Sequence, residues 1–366
     1  MIVSSYMKIL GIETSCDETA IAIIDINETE DGVLHVRVLA NEILSQIELH
    51  RPYGGVFPNL AKREHEKNLK PILEQALKKA GFSGTKNPPV DLIAVTRGPG
   101  LEPCLWTGIT FAEKLGKEWN IPVIPAHHME GHILASLLSG EGMAEHSFTL
   151  TMPEFPALAL LISGGHTELV LMRGVGEYQI VGKTRDDAVG ECFDKTARIL
   201  GLPYPGGPEI SNLADMARKE NLKLKTELPR PMIHSKDLDF SFSGLKTAVL
   251  YGTKGKTLSK DDIKEYAREI EESITDVIIS KTGKAIEVHN AESLIVGGGV
   301  IANQFIRSAL KRLTDSFDMP LYLPKAIHST DNALMIALAG YFSRTEAKTG
   351  SLPLKAIGTV PLGPKI

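Results

Sequence analysis

The sequence predicts an α/β protein with two similar halves, and three observations lead to this fold class. Segments rich in Ile and Val that end at turn residues alternate with segments whose apolar residues recur at helical spacing. The order strand, strand, strand, helix, strand, helix, strand, helix occurs twice along the chain. The length of 366 residues suits about two domains.

The first half begins with an apolar run at 8–13 and the polar turn Thr14–Thr19. Two further strands follow, and then apolar residues recur on one helical face from Leu69 to Ala80. Pro71 within that face predicts a helix start or a kink nearby. The predicted elements are strands at 8–13, 20–26 and 33–44, the helix around 69–80, a strand at 91–96, a helix at 107–119, a strand at 121–125 and a helix that carries two histidines.

The second half follows a predicted loop at 141–156, which has no clear period and is broken by Pro153 and Pro156. A Pro- and Gly-rich insert interrupts the repeated order, and Ile263, Ile270 and Ile274 mark a long helix after it. The predicted elements are strands at 156–163, 166–173 and 178–183, helices at 187–200 and 260–288, a strand at 294–296, a helix at 303–313, a strand at 321–323 and a helix at 332–344.

The repetition predicts two lobes. The first covers 7–130 and is completed by the C-terminal helix at about 331–347, and the second covers 131–330 with the insert at about 203–258. Two similar α/β lobes form a cleft between them, and such a boundary is a favoured ligand site. We therefore expect the functional site in a central cleft.

Composition excludes several classes of protein. No apolar run reaches the length of about 18 residues that a membrane-spanning helix needs, and Met1–Tyr6 lacks the features of a secretory signal. The three cysteines are far apart and odd in number, which favours a reducing cytoplasm over a disulfide framework. With a net charge of −5, a nucleic acid partner would be met by a local patch.

A possible metal site is the strongest chemical signal. His128 and His132 are four residues apart, so on a helix both imidazoles lie on one face and can reach one metal ion. A helix pair leaves a metal under-coordinated, and Asp331, just before the last predicted helix, is the best candidate for a third ligand. Two histidines at this spacing also occur by chance, so the pair alone leaves both interpretations open.

Glycine-rich turns follow three predicted strands. Leu161-Ile162-Ser163-Gly164-Gly165 opens a hairpin in which glycine permits positive φ, and its backbone N–H groups can form a nest for phosphate. Gly11–Ser15 occupies the equivalent turn of the first half. Gly297-Gly298-Gly299 precedes Asn303, which can cap a helix or bond a ligand. A plain turn remains the alternative at each position, and no dinucleotide-binding fingerprint is present.

Polar residues elsewhere in the second half are further candidates. Asp194 can accept hydrogen bonds from ribose hydroxyls, and Gly207 lies in a rigid Pro-Gly-Gly-Pro turn where backbone can meet a ligand. Asp186 and Asp187 are expected to offset the dipole of the helix that follows them.

These motifs together resemble the bacterial TsaD family, the tRNA adenosine threonylcarbamoyltransferases earlier described as O-sialoglycoprotein endopeptidases. The resemblance runs from about Met7 to Ala347 with the motifs in the family's order. It is carried by Gly11–Thr19, His128–His132, Ser163–Thr167, Phe193–Lys195, Tyr204–Pro208, Phe240–Thr247 and Thr330–Asn332.

The resemblance implies the actin, sugar-kinase and heat-shock ATPase type of fold, with RNase H-like lobes. It implies transfer of threonylcarbamoyl from threonylcarbamoyl-AMP to N6 of the adenosine next to the anticodon, in tRNAs that read codons beginning with A. His128, His132 and Asp331 would hold one iron or zinc ion. An adenine nucleotide, threonylcarbamoyl-AMP or ATP, would lie in the cleft, held by Leu161, Ile162, Ser163, Gly164, Gly165, Asp194, Gly207 and Asn303. The implied partners are tRNA, TsaB-like and TsaE-like proteins and a TsaC-like enzyme that supplies the adenylate, with no membrane.

The chain departs from the family pattern in two places. Some members have Asp where this chain has Ser211, so we assign no ligand there. The stretch Leu101–Trp106 replaces small apolar residues found in many members. No general base is evident.

Three other functions remain as alternatives. A metallopeptidase of the H-E-x-x-H type needs its base beside the first histidine, whereas Glu130 lies about 200° around the helix from either one. A small-molecule kinase would bind Mg²⁺ through oxygen ligands, whereas two histidines and a carboxylate suit zinc or iron better. The third alternative is a regulatory, nucleotide-binding module without catalysis.

Overall fold

The structure is a computed structural model that describes residues 6–30, 32–85, 89–140, 146–222, 227–344 and 354–363. The chain divides into two compact units. Unit 1 consists of Met1–His50, Val56–Met152 and Pro324–Leu362, and unit 2 of Arg51–Gly55, Pro153–Leu323 and Gly363–Ile366. Each unit is built on one sheet with helices packed against it, which confirms the α/β class.

The secondary structure follows the predicted alternation of strands and helices. The strands are β1 (Tyr6–Glu13), β2 (Glu18–Glu28), β3 (Leu34–Ser45), β4 (Leu92–Gly98), β5 (Val123–His127), β6 (Leu138–Ser139), β7 (Ser147–Leu150), β8 (Ala157–Ile162), β9 (Thr167–Gly174), β10 (Glu177–Lys183), β11 (Ser293–Gly297) and β12 (Leu321–Tyr322). The α-helices are α1 (Ile47–His50), α2 (Pro58–Lys79), α3 (Glu102–Trp119), α4 (His128–Ser136), α5 (Val189–Ile199), α6 (Gly206–Lys219), α7 (Ser243–Thr253), α8 (Lys260–His289), α9 (Gln304–Ser316) and α10 (Ala333–Phe342).

Unit 1 has a seven-stranded sheet in the order β5-β4-β1-β2-β3-β7-β6. Strand β1, the third in this order, pairs antiparallel with β2 and parallel with β4. Its side chains are buried on both faces, which explains the continuous apolar sequence. Helices α2 and α3 cover one face with an apolar core. Helix α10 packs so closely on β1 that a Cβ atom at Gly11 would lie 2.2 Å from the Ala333 carbonyl oxygen.

Unit 2 has a five-stranded sheet in the order β10-β9-β8-β11-β12. Strand β8 pairs antiparallel with β9 and parallel with β11, so the carboxyl ends of β8 and β11 lie at the same edge. The 30-residue helix α8 begins with a capping box between Ser259 and Asp262. Its buried face joins Phe193 and Phe240 in the core of this unit.

The structure differs from the predicted boundary between the lobes. We expected the first lobe to end at 130, whereas unit 1 continues to Met152. The reason is that β7, inside the predicted loop at 141–156, pairs antiparallel with β3. A strand of four residues is too short to show a period, and 141–145 lie outside the described residues.

Two further expectations need correction. The insert at 203–258, for which we predicted no helix, contains α6 and α7. The expected rigid turn is the start of α6, with Pro205 at the N-cap and Pro208 in the first turn, where a missing N–H costs nothing. Pro71 does not mark a helix start, because α2 begins at Pro58 and its buried face continues past Pro71.

Among the described residues, no helix combines the length and the apolar composition needed to cross a membrane.

We predict that Gly11→Ala lowers the free energy of unfolding by about 2 kcal/mol or more, because the new Cβ forces overpacking against α10. It would lie 2.2 Å from the Ala333 carbonyl oxygen and 2.9 Å from the Ala337 nitrogen. Denaturant unfolding measures the loss. Gly174→Ala is the control, since its nearest neighbour would be 3.7 Å away. Equal stability of both variants would contradict the prediction.

Candidate functional site

Helix α4 and the loop before α10 bring three predicted ligands together in unit 1. His128 is the first residue of α4 and His132 lies one turn later. The Asp331 Oδ1 atom lies 3.4 Å from His128 Nε2 and 3.2 Å from His132 Nε2. The three residues form a group whose ligand atoms all lie within 4.8 Å of one another. Glu130, the base that a peptidase would need, is not in this group.

The spacing of these atoms suits a metal ion. Zinc bonds of about 2.0–2.1 Å in tetrahedral geometry place neighbouring ligand atoms about 3.4 Å apart. The two distances from Asp331 Oδ1, 3.4 Å and 3.2 Å, agree with that value. Three protein ligands also leave a fourth position open, as in catalytic metal sites. The donor set therefore fits a divalent ion such as zinc or iron.

The fully buried carboxylate of Glu13 orients the imidazole of His128 by a hydrogen bond to the ring nitrogen that faces away from Asp331. The Nδ1–H of His128 donates to Glu13 Oε2 at 3.0 Å, because a carboxylate can only accept. Thr96 Oγ1 donates to the same oxygen at 2.7 Å, and the Ser15 N–H donates to the other one. This arrangement turns Nε2 of His128 toward Asp331, as partners of metal-bound histidines commonly do. Glu13 was not predicted, since its role depends on strand pairing rather than on a motif.

Burial and charge act against each other at the three groups. Burial alone would lower the pKa of His128, but the charges of Asp331 and Glu13 outweigh it and raise that pKa well above its usual value. Burial would raise the pKa of Asp331, yet His128 and His132 lower it. Burial likewise opposes ionisation of Glu13, and His128 lowers its pKa. The site thus favours two carboxylates facing one positive charge.

Unit 2 contains a cavity of about 410 Å³ beside the carboxyl edge of its sheet. Four of the residues predicted to hold a nucleotide line it: Gly164, Asp194, Gly207 and Asn303. Gly164 and Gly299 leave open space where a Cβ would stand. Ser211 and Asn212 of α6 also face the cavity, although no ligand was assigned at Ser211 and Asn212 was not considered.

Two polar side chains of the cavity wall, those of Asp194 and Asn303, already have protein partners. Asp194 Oδ1 accepts the Gly206 N–H at 2.7 Å, at the start of α6. Asn303 Oδ1 accepts the Ile306 N–H at 3.0 Å, which makes Asn303 the N-cap of α9. Its Nδ2 donates to Glu271 at 2.6 Å. Of the two roles left open for Asn303, the structure shows the capping one.

The remaining predicted nucleotide ligands lie next to the cavity without lining it. The side chains of Leu161 and Ile162 are fully buried in the core, so only their backbone atoms are available to a ligand. Ser163 accepts the His166 N–H. Gly165 and Gly164 do not have the positive φ that we expected. Four residues connect β8 and β9, whereas positive φ is required in the two-residue turns of tight hairpins. A ligand role for these residues stays a prediction.

Asp186 has a different role from the one expected. Its carboxylate accepts hydrogen bonds from the N–H and hydroxyl of Ser243, the hydroxyl of Ser241 and the N–H of Phe242. It therefore caps α7 rather than only offsetting the dipole of α5. Asp187 pairs with Lys195 at 2.8 Å.

The family of the chain follows from comparison with known proteins. Residues 37–338 match the family model TsaD, described as tRNA N6-adenosine threonylcarbamoyltransferase. The chain belongs to the TsaD family. This confirms the resemblance found in the sequence, and it makes this TsaD-family chain an enzyme, a transferase that acts on tRNA.

Curated relatives with the same description align with this chain over nearly their whole length. The tRNA N6-adenosine threonylcarbamoyltransferase of Polynucleobacter asymbioticus is 43% identical over 354 residues, which cover 94% of each chain. That of Chromobacterium violaceum is 44% identical over 339 residues, covering 91% of this chain and 92% of the relative.

A solved structure shares the fold at low sequence identity. Full-length HypF in its phosphate- and nucleotide-bound form has a TM-score of 0.53 at 12% identity, covering 95% of this chain and 47% of HypF. This likeness concerns the fold alone. With the two-sheet architecture, it agrees with the ATPase type of fold that the resemblance implied.

We predict that Asp331→Asn lowers the pKa of His128 after metal has been removed with a chelator, because the carboxylate is the main charge that raises it. Histidine-selective NMR titration measures this pKa. Asp25→Asn serves as the control, since that carboxylate pairs with Arg37 instead.

The same substitution should change the pH dependence of stability. The raised pKa of His128 contributes stability below its unfolded value of about 6.5 that is lost as pH rises. The lowered pKa of Asp331 contributes stability above about pH 3.9 that is lost as pH falls. The wild type should therefore exceed Asp331→Asn most between about pH 4 and 6.5. An unchanged His128 pKa, or a constant difference in stability, would contradict this account.

Proposed function

We propose that this TsaD-family chain transfers threonylcarbamoyl from threonylcarbamoyl-AMP to N6 of the tRNA adenosine next to the anticodon, in tRNAs that read codons beginning with A. Family membership supports the reaction class. The observation that supports a metal-assisted route is the convergence of two imidazoles and one carboxylate on a common point, with a coordination position left over.

The residues of unit 1 hold and orient the metal in this proposal. His128, His132 and Asp331 are the ligands, and Glu13 keeps the proton of His128 on Nδ1 so that Nε2 is free for coordination. An iron or zinc ion bound there would supply Lewis-acid polarisation of the acyl adenylate. The exocyclic amine of adenosine is a weak nucleophile, so catalysis depends on activation and positioning of the electrophile. No residue is assigned as the general base.

The residues of unit 2 bind the adenine nucleotide, threonylcarbamoyl-AMP or ATP, in this proposal. Gly164, Gly207 and Gly299 let the backbone approach the ligand closely, because no side chain of theirs fills the cavity. The first turn of α6 and the cap of α9 also line the cavity, and helix N-termini favour the negative charge of phosphate.

The partners follow from the same reaction. The substrate is tRNA, which the family name specifies. TsaB-like and TsaE-like proteins would assist the chain, and a TsaC-like enzyme would supply threonylcarbamoyl-AMP. The cytoplasm, where tRNA is modified, is the proposed location.

We predict that Gly207→Val weakens binding of AMP and ATP about tenfold or more without loss of stability, because the added side chain enters the cavity. Its Cβ would stand 3.9 Å from Phe193, an ordinary contact. The neighbouring Gly206→Ala is the contrast, since its Cβ would lie 2.5 Å from Ala197 and should lower stability. Calorimetric titration and thermal unfolding provide the two readouts. Unchanged nucleotide affinity of Gly207→Val would remove this cavity as the nucleotide site.

We predict that His132→Ala abolishes both bound metal and threonylcarbamoyladenosine formation, because the remaining two ligands cannot hold the ion. Elemental analysis of the purified protein gives the metal content. Nucleoside analysis of tRNA from a complemented deficient strain gives the modification. His35→Ala, at an exposed position of β3, is the matched control. A metal-free His132→Ala variant with full activity would refute the proposed role.

A further inference from the structure

His127, the residue before the first metal ligand, makes two hydrogen bonds through its two ring nitrogens. It is the N-cap of α4, and its Nδ1 accepts the Met129 N–H at 3.2 Å. An acceptor at Nδ1 requires the ring proton to be on Nε2. That Nε2–H donates to the Val360 carbonyl at 3.3 Å. One imidazole therefore links the start of the metal helix to a point 233 residues away in sequence.

Val360 belongs to a segment of unit 1 that we name the C-terminal clasp, residues 354–362. The clasp lies outside residues 37–338, which match the family model. It is anchored by backbone hydrogen bonds from Ile357 N–H to the Arg97 carbonyl at 2.9 Å and from Gly100 N–H to the Gly358 carbonyl at 3.0 Å. Ala356 and Leu362 are buried, with Ala356 in the core beside α2 and α3. The segment is thus bound along the end of β4.

Two further residues fit the clasp to this position. Gly98 approaches it so closely that a Cβ there would lie 2.0 Å from the Ile357 carbonyl oxygen. Glu102, in the first turn of α3, accepts the Gly358 N–H at 3.3 Å. Glu102 belongs to the stretch Leu101–Trp106, where the sequence departs from the family pattern. One residue of this unusual stretch, Glu102, therefore contacts the clasp directly.

We propose that His127 is a positioning residue for the metal site, and that the C-terminal clasp sets its tautomer. This inference rests on the proposed function, because it assumes that His128 and His132 bind metal. With the proton held on Nε2 by the clasp, Nδ1 remains an acceptor and caps α4. With the proton on Nδ1, that N–H would face the Met129 N–H, and the first turn of α4 would lose its cap.

Loss of the cap at His127 would affect metal binding because His127 directly precedes the metal ligand His128. His128 is the first residue of α4, directly after His127, so any displacement of the first turn moves its imidazole away from Asp331. His127 is 8% exposed, and because its Nδ1 accepts a hydrogen bond while its Nε2 donates one, the ring carries a single proton. The hydrogen bond to the Val360 carbonyl of the clasp keeps that proton on Nε2.

The test compares zinc affinity in four forms of the full protein: wild type, His127→Ala, a chain lacking residues 354–366, and the combination. Competition with a chromophoric chelator, using zinc alone, gives each dissociation constant. We expect each change to weaken zinc binding by about tenfold, as loss of partners behind metal ligands does. The combination should be no weaker than either change alone, because both break one link. His35→Ala is the control.

A spectroscopic readout separates this role from a general loss of stability. Nitrogen-15 NMR of labelled histidines should show His127 as the Nε2–H tautomer in the wild type and as a tautomer mixture without the clasp. If the deletion does not fold, Glu102→Ala replaces it, since that variant removes one anchor and keeps the buried Ala356 and Leu362. Its combination with His127→Ala should show the same non-additivity.

The outcomes distinguish the inference from the function on which it rests. Wild-type affinity without the clasp, additive effects in the combination, or an unchanged His127 tautomer would overturn the inference while the metal site stands. Absence of zinc binding in the wild type would overturn the proposed metal site itself. In that case the tautomer measurement still decides whether the clasp controls His127.

Discussion

Close packing of α10 against the rest of unit 1 is the constraint on which the candidate metal site depends. Asp331 and His132 are 199 residues apart, and the packing of α10 on α4 brings the loop before α10 to the two histidines. Glycines permit the approach on three elements. A Cβ at Gly131 of α4 would lie 3.0 Å from the Met335 carbonyl oxygen, and a Cβ at Gly340 of α10 would lie 2.4 Å from the Cβ of Ala94 in β4. Gly11 of β1 completes the set.

The same packing explains the electrostatics of the site. Glu13 at the end of β1 and Asp331 before α10 lie on opposite sides of His128. The buried carboxylate of Glu13 and the half-buried carboxylate of Asp331 would repel each other without a positive charge between them. In the protein alone a proton on His128 supplies that charge, and a divalent ion can supply it in the proposed function. The fold thus holds negative charge ready for a cation.

Local patterns predicted most of the fold and part of the site. The spacing of His128 and His132 required only one helical turn, and the long helix α8 followed from its repeated apolar face. Asp331 came from its place before the last helix. Features that arise from distant pairing were missed, such as the short strand β7 and the hydrogen bond from His128 to Glu13. The cap that Asp186 makes on α7 was missed, because it depends on a helix distant in sequence. The cap that Asn303 makes on α9 was one of two roles left open.

The discontinuous course of the chain through unit 1 has a consequence for biosynthesis. Strands β1 to β7 and helix α4 are made early, but α10 and Asp331 leave the ribosome only after the long segment Pro153–Leu323 of unit 2 has been synthesised. The nascent first segment has β1 without the helix that covers it, and two histidines without their carboxylate. Unit 2 is contiguous apart from short segments, so it can complete its own core during translation. The three residues of the proposed metal site are therefore complete only after Asp331 has left the ribosome.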